Sequence, residues 1–164
     1  MLVALSDKIP KEVSDAVDED KRSRSFVISG LEEASPQMRP SERQIDLEGK
    51  VRDVLDCLNV ECRPVEIYRL GKPATDRPRL VKIVLPSKSH WRTAFKNAKN
   101  LKFSSQLKSV FVRRSMTQEE RSRDYELRQQ AKDRNRGKDK REWVVFRGGL
   151  KHITELSNKG QGNA

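Results

Sequence analysis

Long apolar runs are missing from this chain. No stretch approaches the roughly 18 apolar residues that a membrane-spanning helix requires, so a membrane is not an expected partner. Cysteine is scarce too: Cys57 and Cys62 are the only two, and His90 and His152 the only histidines. That set is too small and too scattered for a disulfide framework or a zinc site, so two ordinary thiols and no metal or cofactor are expected. Catalytic patterns are also missing. There is no Gly-x-Ser-x-Gly elbow and no Walker-type phosphate loop, and neither histidine sits in a nucleophile motif, so no enzymatic activity is expected. The opening Met1–Lys8 is apolar at first but meets Asp7 without a basic n-region, which fails the secretory pattern and predicts a chain that stays inside the cell.

What the chain has in excess is positive charge. Lys and Arg total 35 against 24 Asp and Glu, a formal net charge of +11, and the isoelectric point of about 9.9 exceeds the level of roughly 9 that marks nucleic-acid-binding domains. Between Lys102 and Arg141 thirteen basic residues face six acids, so the positive field is concentrated late in the chain. Phosphate binding uses such clusters because each neutralised phosphate releases condensed counterions.

Residues 1–24 mix acids with the basic cluster Lys21-Arg22-Ser23-Arg24 and read as a charged lead-in, or the end of a truncated coiled coil in which Val13 and Val17 sit four apart. Ser25–Leu31 reads as a first strand, ended by a turn-forming stretch with Pro36 and Pro40. Ser41 with Gln44 forms a capping-box pattern ahead of Leu47, Val51, Val54, Leu55 and Leu58, predicting a helix over 42–59, although Gly49 inside it costs about 1 kcal/mol relative to Ala. Pro64–Leu70 and Arg79–Leu85 read as the next two strands. Period two puts Val81, Ile83 and Leu85 on one face of the latter and Leu80, Lys82 and Val84 on the other. Trp91, Ala94, Phe95, Ala98 and Leu101 mark a second helix from about Ser87–Ser89, and Ser109–Arg113 a fourth strand.

The order β-α-β-β-α-β is that of an α+β, ferredoxin-like fold, with two helices on one face of a four-stranded sheet and the other face open. After it, Thr117 and Glu120 form a capping box for a charged helix reaching about Asn135. Trp143–Arg147, a tight turn at Gly148-Gly149 and Leu150–Ile153 read as a hairpin. The expected organisation is therefore a lead-in over 1–24, a first domain over 25–114, a small basic helix-plus-hairpin domain over 115–156, and a disordered tail over 157–164.

A charged helix with interleaved acids is often only a solvated face. Two features favour binding: the excess of Arg over Lys, suited to bidentate phosphate contacts and base stacking, and the run Arg134-Asn135-Arg136-Gly137-Lys138 leading into an aromatic hairpin. The first and third strands lack the rings that a standard RNA-recognition motif stacks on bases, and Phe26 reads as core. Trp91 and Phe95 read as packing residues. Trp143 and Phe146 are open between anchoring the hairpin, with Arg147 beside them, and stacking on a base. Arg69 is open between a phosphate contact and a loop flank.

Taken together, Phe26-Val27-Ile28-Ser29-Gly30-Leu31-Glu32-Glu33, Tyr68-Arg69-Leu70-Gly71-Lys72, Arg77-Pro78-Arg79-Leu80-Val81-Lys82, Asn97-Ala98-Lys99-Asn100-Leu101-Lys102, Met116-Thr117-Gln118-Glu119-Glu120-Arg121 and the Gly148-Gly149 hairpin resemble a known family. They are similar, over roughly residues 22–153, to the RNA-binding region of the first open-reading-frame protein of LINE-type non-LTR retrotransposons. The resemblance implies a non-standard RNA-recognition-motif domain and a small C-terminal domain, with single-stranded RNA, or single-stranded DNA, along a basic cleft between them. It also implies nucleic-acid chaperone activity, packaging of the element's RNA and a cytoplasmic ribonucleoprotein location, with the nucleus as a further site. The residues expected to bind nucleic acid are Arg69, Lys82, Arg113, Arg114, Arg121, Arg128, Arg134, Arg136, Lys138 and Arg147. Family members trimerise through a long coiled coil. The 24 residues before the first strand are too poorly patterned for one, so self-association stays open and a trimer is not expected. The competing reading is a protein–protein interaction adaptor whose charge serves solubility.

Overall fold

The computed structural model describes residues 2–157, with side chains from Pro10 onward. The chain is α+β and divides into two compact units, 1–115 and 116–164. Among the described residues no helix is long and apolar enough to cross a membrane.

The first unit runs α1 (Leu2–Ser23), β1 (Ser25–Ser29), α2 (Pro40–Cys57), β2 (Glu66–Arg69), β3 (Val81–Val84), α3 (Lys88–Asn97), a 3-10 segment (Ala98–Phe103) and β4 (Phe111–Arg114). The strands form one sheet in the order β2-β3-β1-β4, with every neighbouring pair antiparallel. Phe26 and Ile28 of β1 and Val81 and Ile83 of β3 point to one face, where they are fully buried with Leu47, Val51, Val54 and Leu58 from α2 and Ala94 from α3. The apolar stripes read from sequence thus meet in one core. Phe95 sets its ring edge-on to Phe26 at 6.1 Å and against Trp91 at 4.4 Å, and the Trp91 indole N–H donates to Ser25 O at 3.0 Å.

Several local expectations are corrected. Helix α2 begins at Pro40, so Ser41 lies inside the first turn and cannot cap it. Arg39 is the N-cap, Pro40 supplies a preset φ where no N–H is needed, and the Glu42 carboxylate accepts from Arg39 N at 2.9 Å. The second stripe is carried by α3 only to Asn97. The chain then tightens, which turns Asn97 and Asn100 toward Leu58 O and Cys57 O, the orphan carbonyls ending α2, while Leu101 still reaches the core. The fourth strand starts two residues later than expected, because Val110 N–H is used by a turn to Leu107 O.

The lead-in is a helix over its described length, with Val13 and Val17 exposed on it. Its last turn is part of the first unit: Ser25 Oγ donates to Lys21 O at 2.5 Å, the Arg24 guanidinium to Leu85 O at 2.7 Å, and Lys21 pairs with Glu66 at 2.8 Å. At this end the outer sheet face is closed. Ser25 and Val84 are fully buried there, although alternation assigned Val84 to the open side; Val27, two residues on and paired with Lys82 and Arg113, is buried as well.

The second unit comprises α4 (Gln118–Asn135), the hairpin β5 (Trp143–Phe146) and β6 (Gly149–His152), and a single turn α5 (Ile153–Ser157). Thr117 Oγ1 accepts from Glu120 N at 3.1 Å and Glu120 from Thr117 N at 2.8 Å, the reciprocal cap expected. The hairpin turn is Arg147-Gly148, not Gly148-Gly149: Phe146 pairs with Gly149, and φ is +50° at Arg147 and +71° at Gly148. A two-residue hairpin of this hand needs positive φ at both central positions. Ile153 and Ser157, assigned to the hairpin and the tail, both belong to α5. The rest of the expected disordered tail lies outside the described residues.

Candidate nucleic-acid interface

Register decides what the outer face of the first unit's sheet presents. Tyr68 pairs with Lys82, Lys82 with Val27, and Val27 with Arg113, so one row crosses all four strands on the side opposite Phe26 and Ile83. Beside it Ser29 pairs with Phe111. Two of the expected site residues, Lys82 and Arg113, are therefore brought together on one face, flanking Val27. Arg114 pairs with Phe26 and is exposed at the sheet's edge. Sequence reasoning missed the two rings on this face, Tyr68 on β2 and Phe111 on β4, because it looked for rings on β1 and β3.

Arg69 lies on the opposite side of the sheet. Its guanidinium donates to Leu31 O at 2.7 Å, Glu32 O at 2.5 Å and Arg79 O at 3.0 Å, and it pairs with Glu33 at 3.6 Å. With 9% of its side chain exposed and three of its five N–H groups given to backbone carbonyls, Arg69 is turned into the fold and away from a phosphate. It ties the segment after β1 to the segment before β3. Burial pulls its pKa below the usual arginine value, the Glu33 carboxylate opposing that shift.

No family model matches the chain, and no curated protein matches its sequence.

In the second unit the hairpin is locked to the end of α4 by one side chain. Asn135 Oδ1 accepts from Glu142 N and Trp143 N, both at 2.9 Å, and its Nδ2 donates to Trp143 O at 2.8 Å. That lock sets Trp143 beneath Arg134, whose guanidinium carbon stands 4.2 Å from the ring centroid, and edge-on to His152 at 5.2 Å. Trp143 is thus a half-buried anchor with one face already occupied by a cation. Phe146 is exposed, with Arg147 over it at 5.3 Å.

Alongside lies a groove of about 590 Å³ lined by Arg128, Lys132 and Arg141 over Ala131, Trp143 and Val144. Of these cations only Arg128 was singled out from sequence. Lys132 and Arg141 become neighbours only when the hairpin folds back on α4. Among the expected residues, Arg128 pairs with Asp124 at 2.7 Å, Arg136 with Asp133 at 2.8 Å, and Lys138 with Glu142. The Lys138 ammonium, with His152 beyond it, holds the Glu142 carboxyl below its ordinary range. Such exposed pairs are weak, because solvent screens them. Arg121 is exposed on α4, seven residues before Arg128.

Proposed function

We propose that this chain binds single-stranded RNA with little sequence selectivity. The observation that carries the reading is the second unit's groove, where Arg128, Lys132 and Arg141 converge around a walled slot beside Trp143. Three cations along one groove suit a phosphate backbone, and Arg guanidinium groups suit its planar, bidentate acceptors. Among the described residues no base-reading arrangement accompanies them, which favours electrostatic grip over sequence readout.

The first unit is read as a ferredoxin-like module of the RNA-recognition-motif kind. Supporting this are its β-α-β-β-α-β order, the strand sequence β2-β3-β1-β4 with antiparallel neighbours, and the meeting of both helices' apolar stripes in one core. A small basic helix-and-hairpin unit follows it, in the order that the LINE-type first open-reading-frame proteins would have. On that resemblance the chain serves as an RNA-packaging or chaperone module in a ribonucleoprotein.

The test is fluorescence anisotropy of a labelled single-stranded RNA from about 50 to 300 mM salt, with the exposed Lys132 and Arg141 both changed to Gln in a parallel sample. The wild type is expected to show a steep negative log–log slope, and the double variant a slope shallower by about 1.4, at roughly 0.7 per lost phosphate contact. Absence of binding at low salt rejects the reading in favour of a protein-binding adaptor, and steep binding with an unchanged slope in the variant rejects this groove as the site.

A further inference from the structure

The outer sheet face carries rings where a chain that bound nucleic acid only through its charge would have no use for them. Phe111 is 61% exposed and Tyr68 38% exposed; single exposed apolar side chains are ordinary, and what sets these two apart is that they share one sheet face with cations. They occupy the two outermost strands, β2 and β4, with Lys82 and Arg113 in the row between. At about 4.8 Å per strand, the two rings stand roughly 14 Å apart across the sheet, too far to stack on each other. Among the described residues neither Lys82 nor Arg113 has an ion pair, while Glu66, the acid on this face, is taken by Lys21 at 2.8 Å. The face therefore offers two separate apolar plates, with uncommitted positive charge between them on either side of the buried Val27.

From Ser29, the partner of Phe111, a groove of about 400 Å³ continues past Leu80 to Lys72 and Arg77. Both of these cations are exposed, and neither has a partner among the described residues. The end of the face that α1 closes lies the other way, at Ser25 and Val84. A strand crossing the sheet thus has a cationic way out on the Phe111 side.

We infer that Tyr68 and Phe111 each stack one base of a single-stranded nucleic acid, with the intervening phosphates on Lys82 and Arg113 and a following phosphate in the groove at Lys72 and Arg77. This rests on the single-stranded-RNA reading above and adds a base-contacting site on the other unit. Aromatic stacking tolerates any base, because every base has a π-face, so the site adds affinity without sequence choice. It moves the stacking rings from the two central strands, which carry Val27 and Lys82, to the two outer ones.

The experiment uses the full chain with two probes of equal length, an oligouridylate and an abasic phosphodiester oligomer, titrated over the same salt series. The variants are Tyr68→Leu with Phe111→Leu, which removes the rings but keeps apolar bulk, and Tyr68→Phe with Phe111→Tyr, which keeps both rings. Each lost ring is expected to weaken oligouridylate binding about tenfold, within the range of roughly 1–3 kcal/mol per stacked base. The log–log salt slope and the abasic affinity should not move, and the ring-retaining variant should bind as wild type does. If wild type and the leucine variant bind oligouridylate equally, with the steep slope intact, stacking is overturned and the electrostatic reading survives. If wild type binds neither probe, both fail.

Discussion

The guanidinium of Arg79 meets the carboxylate of Glu33 in a two-pronged pair, Nε to Oε1 at 2.9 Å and Nη2 to Oε2 at 3.0 Å, and Arg79 N–H adds a third bond to Oε1 at 2.9 Å. The same carboxylate is the counter-ion of Arg69. One acid just after β1 thus holds two arginines, from the end of β2 and the approach to β3.

This arrangement makes stability depend on acid pH. Hydrogen bonds from Arg79, followed by the charge of Arg69, hold the Glu33 carboxyl down at about 2, against an ordinary value of 4.5. A depressed carboxyl stabilises the fold above its unfolded pKa, and that contribution disappears as pH falls from 4.5 through about 2. Glu33→Gln is expected to lower stability at pH 7 by roughly 1–2 kcal/mol. Urea melts at several pH values should show the gap between variant and wild type closing on acidification; a gap independent of pH would refute the linkage.

Arg69 separates structural from binding arginines. Replacing it with Ala removes donors from Leu31 O, Glu32 O and Arg79 O and leaves Glu33 with one partner, a loss expected to cost about 2–4 kcal/mol. RNA affinity and salt slope, measured where the variant is folded, should match wild type. A slope shallower by about 0.7 would mean that Arg69 contacts phosphate.

Two glycines are expected to respond in opposite directions to Ala. Gly30 has φ +91°, and a Cβ there would run into Ser109 O, the backbone approaching β4. Gly30→Ala should cost roughly 2–4 kcal/mol through strain and displacement. Gly49 lies within α2 with nothing within 4 Å of a Cβ, so Gly49→Ala should stabilise by about 0.5–1 kcal/mol. Thermal melts of the two variants decide both.

How far residues could be read from sequence depended on the range of the interaction behind each. Thr117 and Glu120 were legible because a cap closes within four residues. Phe26 and Ile28 were legible because burial alternates along a strand. Ser41 misled because Arg39-Pro40 offers an equally local start two residues earlier, and Gly148-Gly149 misled because either dipeptide fits a tight turn until the pairing of Phe146 with Gly149 selects one. Arg69 could not be assigned, since its acceptors lie at Leu31, Glu32 and Arg79, far along the chain in one direction and across a loop in the other.

By itself the sequence determined the order of the six strands and of α2 to α4, the core-facing stripes and the excess of positive charge late in the chain, because periodicity, capping and composition are local properties. Only the tertiary structure decided which strands are neighbours, and therefore that Tyr68, Lys82 and Arg113 share one row with Phe111 beside it. It likewise decided that Lys132 and Arg141 meet Arg128 in one groove while Arg69 is consumed by carbonyls. Strand pairing and side-chain capture are set by contacts between segments distant in sequence, whose closure no local pattern encodes.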